Sequence, residues 1–249
     1  MPISLEKVTA EAPHMVPMYK QAIDIKSELG FDPEKDKAAV VATIDDSGSA
    51  RHLFDSGVVQ RVTDLAFAAG LVFDDDGSVP ASFFNNRIQD LGEITLANSK
   101  GFIGKQTPQW GGTNYTSALK WIIDSAGFGN VNLKSGGLFK RGKQEVKATA
   151  DYPTFAIFVT DGEPSDGNDA SELLKMMSQL PIFVQFIGIG PSSFSYLKGL
   201  DTMSEGRLID NAGFFKAEDV NDGDAMLRHM LGEFPSYLRD ARAAGLVRS

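Results

Sequence analysis

Ala38-Ala39-Val40-Val41-Ala42-Thr43-Ile44-Asp45-Asp46-Ser47-Gly48-Ser49 is the stretch on which the fold turns. Its first seven residues are continuously apolar or β-branched, the pattern of a strand covered on both faces rather than one alternating between core and water. Asp45 ends that run. A second run of the same kind, Thr154-Phe155-Ala156-Ile157-Phe158-Val159-Thr160, ends at Asp161, and a third covers residues 182–189. Between them apolar residues recur at helical spacing. Val58, Val62, Leu65, Ala66 and Ala69 predict a helix with Gly70 placed to stop it. Leu119, Ile122 and Ile123 predict one over 116–125, and Asp169-Ala170-Ser171-Glu172 reads as a capping box opening another that runs through Leu180. Weaker strands are expected at 79–84 and 87–96, a short helix at 193–200 and a short edge strand at 206–210. Residues 221–242 predict a closing helix with Leu227, Met230, Leu231, Phe234 and Leu238 on one face, kinked or restarted at Pro235. Strands alternating with helices imply an α/β domain whose mostly parallel sheet is wrapped on both sides.

The chain has 249 residues, of which 42% are hydrophobic and 23% charged, enough apolar surface for a full core. Residues 1–36, with an amphipathic helix over about 15–29, are expected as an N-terminal helical extension packed on the core. The main domain then spans 37–249, including a basic loop at about 129–152 and a C-terminal helical segment at about 221–249. The loop carries Lys134, Lys140, Arg141, Lys143 and Lys147, and reads as a solvated excursion. No run reaches the roughly 18 apolar residues of a membrane span, and the N-terminus lacks the basic-then-apolar pattern of a signal peptide. With no cysteine, disulfides and thiolate metal sites are excluded, which fits a reducing cytoplasm. A net charge of −9 without a basic run argues against general nucleic-acid binding.

Three separated segments hold the chemistry: Asp45-Asp46-Ser47-Gly48-Ser49, Gly111-Gly112-Thr113-Asn114 and Thr160-Asp161-Gly162. Each sits at a predicted strand end or helix start. In open α/β sheets ligands bind beyond the carboxyl ends of the strands, where the strand order reverses. If the two most hydrophobic strands are neighbours there, Asp45 and Asp161 face one crevice. Ser47 and Ser49, two apart, point the same way around Gly48, and Gly111-Gly112 lets a third loop deliver the Thr113 hydroxyl. Asp45, Ser47, Ser49, Thr113 and Asp161 are therefore candidate metal ligands. They offer only hydroxyl and carboxylate oxygens, the set preferred by a hard cation such as Mg²⁺, with Mn²⁺ or Ca²⁺ as alternatives. Neutral hydroxyls leave the ion electrophilic and one position open, for which a carboxylate from another protein is the natural occupant.

This pattern, Asp45-x-Ser47-x-Ser49 followed by Thr113 and Asp161, resembles the metal-ion-dependent adhesion site (MIDAS) of von Willebrand factor type A (vWA) domains over about residues 36–217. Within that superfamily the chain is most similar to the intracellular bacterial vWA proteins of the tellurium-resistance (TerF-like) group. The similarity is carried by Gly111-Gly112-Thr113-Asn114-Tyr115, Val159-Thr160-Asp161-Gly162-Glu163-Pro164, Phe186-Ile187-Gly188-Ile189-Gly190 and Leu208-Ile209-Asp210-Asn211-Ala212-Gly213-Phe214-Phe215. The resemblance implies a Rossmann-like, six-stranded, mostly parallel sheet with one short antiparallel strand and a metal on its upper rim. It also implies a binding role without catalysis, in a cytoplasmic stress response with other tellurium-resistance proteins as partners.

An enzymatic alternative is a metal-assisted phosphotransferase or phosphatase with Asp45 as nucleophile. Haloacid-dehalogenase-like phosphatases need a second carboxylate two residues on, where this chain has Ser47. Asp74-Asp75-Asp76-Gly77 does not match a calcium loop and reads as a turn. Asp166 and Asp169 are expected to cap the helix that follows them and to make the rim acidic. Trp110 is either an exposed anchor beside the metal or a locally packed ring. His14, His52 and His229 have no ligand spacing, and Gly188-Ile189-Gly190 is no dinucleotide fingerprint.

Overall fold

The computed structural model describes residues 3–74, 76–130 and 148–248. The expected turn at Asp75 and most of the expected basic loop, residues 131–147, fall outside the described residues. The strands are β1 (Ala39–Asp45), β2 (Ser78–Phe84), β3 (Ile88–Thr95), β4 (Thr154–Thr160), β5 (Ile182–Gly188) and β6 (Ala212–Lys216), in the spatial order β3-β2-β1-β4-β5-β6. Every pairing is parallel except that of β3, an eight-residue edge strand that returns antiparallel to β2 through a tight hairpin. The helices are α1 (Leu5–Glu11), α2 (Val16–Glu28), α3 (Arg51–Asp55), α4 (Val58–Leu71), α5 (Tyr115–Ser125), α6 (Gly167–Met177), α7 (Ser195–Asp201), α8 (Gly223–Gly232) and α9 (Phe234–Ala243). This is the Rossmann-like arrangement expected from the alternation of strands and helices.

The continuous apolar runs are explained by two cores, one on each face of the sheet. Val40, Ala42 and Ile44 of β1 and Phe155, Ile157 and Val159 of β4 face α1, α2, α4, α8 and α9. Val41 of β1 and Ala156 and Phe158 of β4 face α5, α6 and α7. Successive side chains of a strand point to opposite faces, so only a strand covered on both sides buries every position, as β4 and β5 do. The N-terminal helices share the first core: Val8, Met15, Tyr19, Ala22 and Ile25 are buried in it with residues of α8 and α9.

Three local expectations are corrected. Gly70 does not stop α4, which continues to Leu71. A Cβ on Gly70 would lie 2.6 Å from a Val79 methyl, so the glycine allows close approach of helix to sheet instead. The last strand is not at 206–210 but at Ala212–Lys216. Hydrogen bonds in 206–210 run elsewhere: Leu208 N–H donates to Ser178 Oγ at 2.8 Å, and Arg207 donates to Asp210 at 2.8 Å and to the Leu200 carbonyl. The helix expected to open at Asp169 begins at Gly167 and ends at Met177. The C-terminal helix restarts at Pro235 as expected: α8 ends at Gly232, and Pro235 sits in the first turn of α9, where its missing N–H costs nothing. A helix the sequence reading did not anticipate, α1, is capped by Ser4, whose side chain accepts from Lys7 N–H.

Lys26 of α2 is 7% exposed, with its Nζ donating to the Val72 carbonyl at 2.6 Å and lying 4.3 Å from the Phe73 ring centroid. Burial pulls its ammonium down to about 8, and the nearby Asp36 only partly opposes this. Between that value and the ordinary lysine range, the unfolded chain holds a proton that the folded chain has released. Stability should therefore rise with pH across that window, by up to about 3 kcal/mol from this group. Urea unfolding at several pH values should show the slope in the wild type and its loss in Lys26→Met.

Candidate metal centre

The strand order reverses between β1 and β4, which are hydrogen-bonded neighbours from Ala39↔Thr154 to Ile44↔Val159. The chain leaves β1 toward β2 on one side and β4 toward β5 on the other, so their carboxyl ends open a crevice. Asp45 is the last residue of β1 and Asp161 follows the last residue of β4. Ser47 Oγ and Ser49 Oγ are 3.0 Å apart, and they donate to the same Asp161 oxygen at 3.2 Å and 3.1 Å. Three oxygens from segments more than a hundred residues apart thus form a nearly equilateral triangle. Asp45 stands behind it. Its Oδ1 accepts from Ser47 N–H at 2.8 Å and its Oδ2 from the Thr160 hydroxyl at 2.7 Å.

Thr113 comes from the loop before α5, which is laced to the triangle's base. Gly48 N–H donates to the Gly111 carbonyl at 2.9 Å, and Ser47 pairs with Gly111 as an isolated parallel bridge. On its other side the Thr113 carbonyl accepts from both Ser165 N–H and Ser165 Oγ, each at 2.8 Å. The Thr113 hydroxyl is half-buried and makes no hydrogen bond among the described residues. Its loop meets the triangle's base through Gly111, not through that hydroxyl. The paired glycines are required by proximity: a Cβ at Gly111 would lie 2.7 Å from Asn85 Cγ, and one at Gly112 2.6 Å from Asn86 Oδ1. Gly112 N–H donates to that Asn86 oxygen.

Several side chains that the sequence reading did not assign hold this arrangement. Asp46 is fully buried and accepts from Asn85 Nδ2 at 2.9 Å and from Gln109 N–H at 2.8 Å, tying the end of β2 and the incoming loop to the residue beside Ser47. The Tyr115 hydroxyl donates to the Gly162 carbonyl at 2.7 Å and to Thr160 Oγ1 at 3.1 Å. Asn114 caps α5, accepting from Ser117 N–H at 2.8 Å. Asp166 does not cap the helix that follows it. Its two oxygens accept from Tyr115 N–H at 2.9 Å and Thr116 N–H at 2.8 Å, so it caps α5 from across the crevice. Glu163 likewise accepts from Ser195 and Tyr196 N–H at the start of α7. Both carboxylates occupy helix N-termini, where the free N–H groups and the dipole favour negative charge. Trp110 is half-buried, edge-on to Phe54 at 5.3 Å, with the Arg51 guanidinium 4.8 Å from its ring centroid.

Electrostatically the crevice gathers buried carboxyl groups. Burial pushes the Asp45 carboxyl up to about 6; Thr160 and Ser47 hydrogen bonds oppose the shift, and the neighbouring Asp161 adds to it. Burial also raises Asp46, against the bonds from Gln109 and Asn85. Two buried carboxylates side by side are a cost that a bound divalent ion removes. Among the described residues no three His, Cys, Asp or Glu side chains come together as a metal-binding group; the triangle depends on serine hydroxyls. Asp45 is 2% exposed, and each of its oxygens accepts one hydrogen bond, from Ser47 N–H and from the Thr160 hydroxyl.

The chain belongs to the vWA-TerF-like family, a vWA domain found in the C terminus of TerF, whose model matches residues 37–247. Among its relatives, the uncharacterized protein YcbR of Bacillus subtilis is 27% identical over 219 residues, covering 85% of this chain and 82% of YcbR. Proximal thread matrix protein 1 from the mussel byssus is similar in structure, with a TM-score of 0.53 at 18% identity, over 79% of this chain and 47% of the mussel chain. This chain therefore spans less than half the length of that protein, and the likeness is one of fold. Another structure of the mussel protein, with a TM-score of 0.48, has a zinc-occupied MIDAS motif; it is 18% identical, over 79% of this chain and 48% of that one.

Asp166 offers a direct test of the crossed capping. Asp166→Ala removes two acceptors from the start of α5 and should cost about 1–2 kcal/mol of stability, the usual scale of a lost helix cap. Hydrogen exchange should accelerate at Tyr115 and Thr116, not at the start of α6. Faster exchange confined to α6 would show that the carboxylate caps its own helix in solution.

Proposed function

We propose that this chain is a divalent-metal-dependent protein-binding module in which Asp45, Ser47, Ser49, Thr113 and Asp161 hold the ion. One observation carries the reading: Ser47 Oγ, Ser49 Oγ and Asp161 Oδ1 stand 3.0, 3.1 and 3.2 Å apart. An octahedral Mg²⁺ shell with bonds of about 2.0–2.1 Å has oxygen–oxygen edges of about 2.9 Å, so the triangle fits one face of such a shell with little adjustment. Mg²⁺ or Mn²⁺ suits the all-oxygen donors better than a thiophilic metal. Thr113 adds a hydroxyl from the neighbouring loop, and Asp45 orients Ser47 from behind through that residue's N–H.

Asp45 and Asp161 as carboxylates balance a divalent charge, while the three hydroxyls add none. The ion supplies a Lewis-acidic position directed outward, and a carboxylate of a partner protein is the ligand it takes. The family supports a bacterial tellurium-resistance or stress-response setting in the cytoplasm, with other proteins of that system as partners. Among the described residues no helix is long and apolar enough to cross a membrane.

Calorimetric titration with Mg²⁺ and Mn²⁺ should show one site, weakened in Thr113→Ala and in Asp161→Ala while circular dichroism stays near wild type. Wild-type affinity in both variants would remove the assignment. An ion that binds only the folded chain also raises stability, by RT ln(1 + [L]/Kd). At a hundredfold excess over Kd the gain is about 2.7 kcal/mol, so Mg²⁺ should raise the melting temperature of the wild type and leave that of Asp45→Ala nearly unmoved. Partner capture from a host lysate should vanish with chelator, return with Mg²⁺ or Mn²⁺, and fail in Ser47→Ala and Ser49→Ala. Capture that ignores all of these would place the interface elsewhere.

A further inference from the structure

The chain has a net charge of −9, and in the reading above a divalent ion would only be balanced by Asp45 and Asp161. A partner that presents an acidic residue therefore approaches a protein whose overall field repels it. A cationic feature beside the triangle would favour that approach, and the described structure holds a candidate on the β1–β2 side.

Arg51 opens α3 two residues after Ser49 and is exposed. Its guanidinium lies over Trp110, and it forms no ion pair among the described residues. Arg87 is exposed in the β2–β3 hairpin at the same end of the sheet, and it too is without an ion pair among the described residues. Its backbone is bonded in both directions to Asn85, whose amide reaches Asp46 beside Ser47. Trp110 has a left-handed backbone, φ 54°, uncommon for a bulky residue. The flanking bonds impose it: Gln109 N–H to Asp46, the Gly111 carbonyl to Gly48 N–H, and Gly112 N–H to Asn86. With Phe54 edge-on behind it, the indole becomes a fixed shelf for the Arg51 guanidinium. The opposite side of the crevice carries Glu163, Asp166 and the exposed Asp169. The rim is thus cationic and aromatic on the β1–β2 side and anionic beyond β4.

We propose that Arg51, Arg87 and Trp110 form a second contact for the partner: they take acidic side chains that flank the metal-seeking carboxylate, so the partner segment is an acidic peptide whose additional carboxylates lie toward β2. This rests on the metal-dependent reading above. Guanidinium forks suit carboxylates, and Arg51 held on the indole loses less freedom on binding than a free side chain would. The acidic far side excludes the reversed orientation and sets the direction of the segment.

The test uses the full chain loaded with Mn²⁺ and dye-labelled synthetic peptides read by fluorescence anisotropy. One is a blocked Gly/Ser peptide with a single glutamate. The second extends it with three aspartates, and the third with three lysines. The aspartate peptide should bind about tenfold tighter than the single-glutamate peptide, as expected for two added surface ion pairs. The advantage should shrink at high salt. It should disappear in Arg51→Gln/Arg87→Gln, whose Mn²⁺ affinity and single-glutamate affinity stay at wild-type values. The lysine peptide should not gain from the arginines. Equal binding of the aspartate and single-glutamate peptides by the wild type, or an advantage that survives the double substitution, overturns the proposal and leaves the metal site intact. Arginine-dependent binding of the aspartate peptide that persists in chelator upholds the patch and removes the metal-dependent reading instead.

Discussion

The parallel pairing of β1 with β4 is the constraint from which the rest of the molecule follows. Residues about 115 apart in sequence lie side by side, from Ala39↔Thr154 to Ile44↔Val159. The chain departs in opposite directions from the two strands, so their ends cannot be roofed by the connections, and a crevice remains there. Asp45 and Asp161 are carried into it by register alone. Both strands are covered on both faces, so the pairing lies between two cores and the position of one aspartate against the other is rigid.

That rigidity supports an arrangement that is unfavourable by itself. Two buried carboxylates sit together with two serine hydroxyls, and burial raises Asp45 to about 6. The surrounding loops keep the groups in place through bonds that cross the crevice. Asp46 binds Asn85 and Gln109, Asp166 binds the first amides of α5, Glu163 binds those of α7, and Tyr115 binds Thr160 and Gly162. Each loop is fixed by a neighbour as well as by its own turn. The electrostatic cost at the centre is met by folding energy elsewhere.

The same cross-bracing shapes the surface. Asp46 holds Gln109, Gly48 holds Gly111 and Asn86 holds Gly112, and between them Trp110 is turned onto Phe54 and under Arg51. Of the two alternatives for Trp110, the structure bears on the packed ring, which it supports. The ring is half-buried on one side and supports a cation on the other.

The sequence by itself determined the central strands, because continuous apolar runs fit only strands buried on both faces, and it placed oxygen-bearing Asp and Ser at their ends, where such residues also form turns. It singled out Ser47, Ser49 and Asp161, whose side chains the fold joins by hydrogen bonds, Asp45, which accepts from the Ser47 backbone N–H, and Thr113, whose loop is tied to theirs through Gly111. Its errors came where a residue has two available partners. Asp166 could cap the helix after it or the helix before it; Gly70 could end a helix or let it touch a sheet; residues 206–210 could pair as a strand or bond to nearby helices. Periodicity and turn chemistry describe a residue's local preference. Which partner lies within 3 Å depends on how the elements pack, and only the tertiary structure decided that, because each of those bonds or contacts joins segments whose distance is set by the cores rather than by the intervening chain.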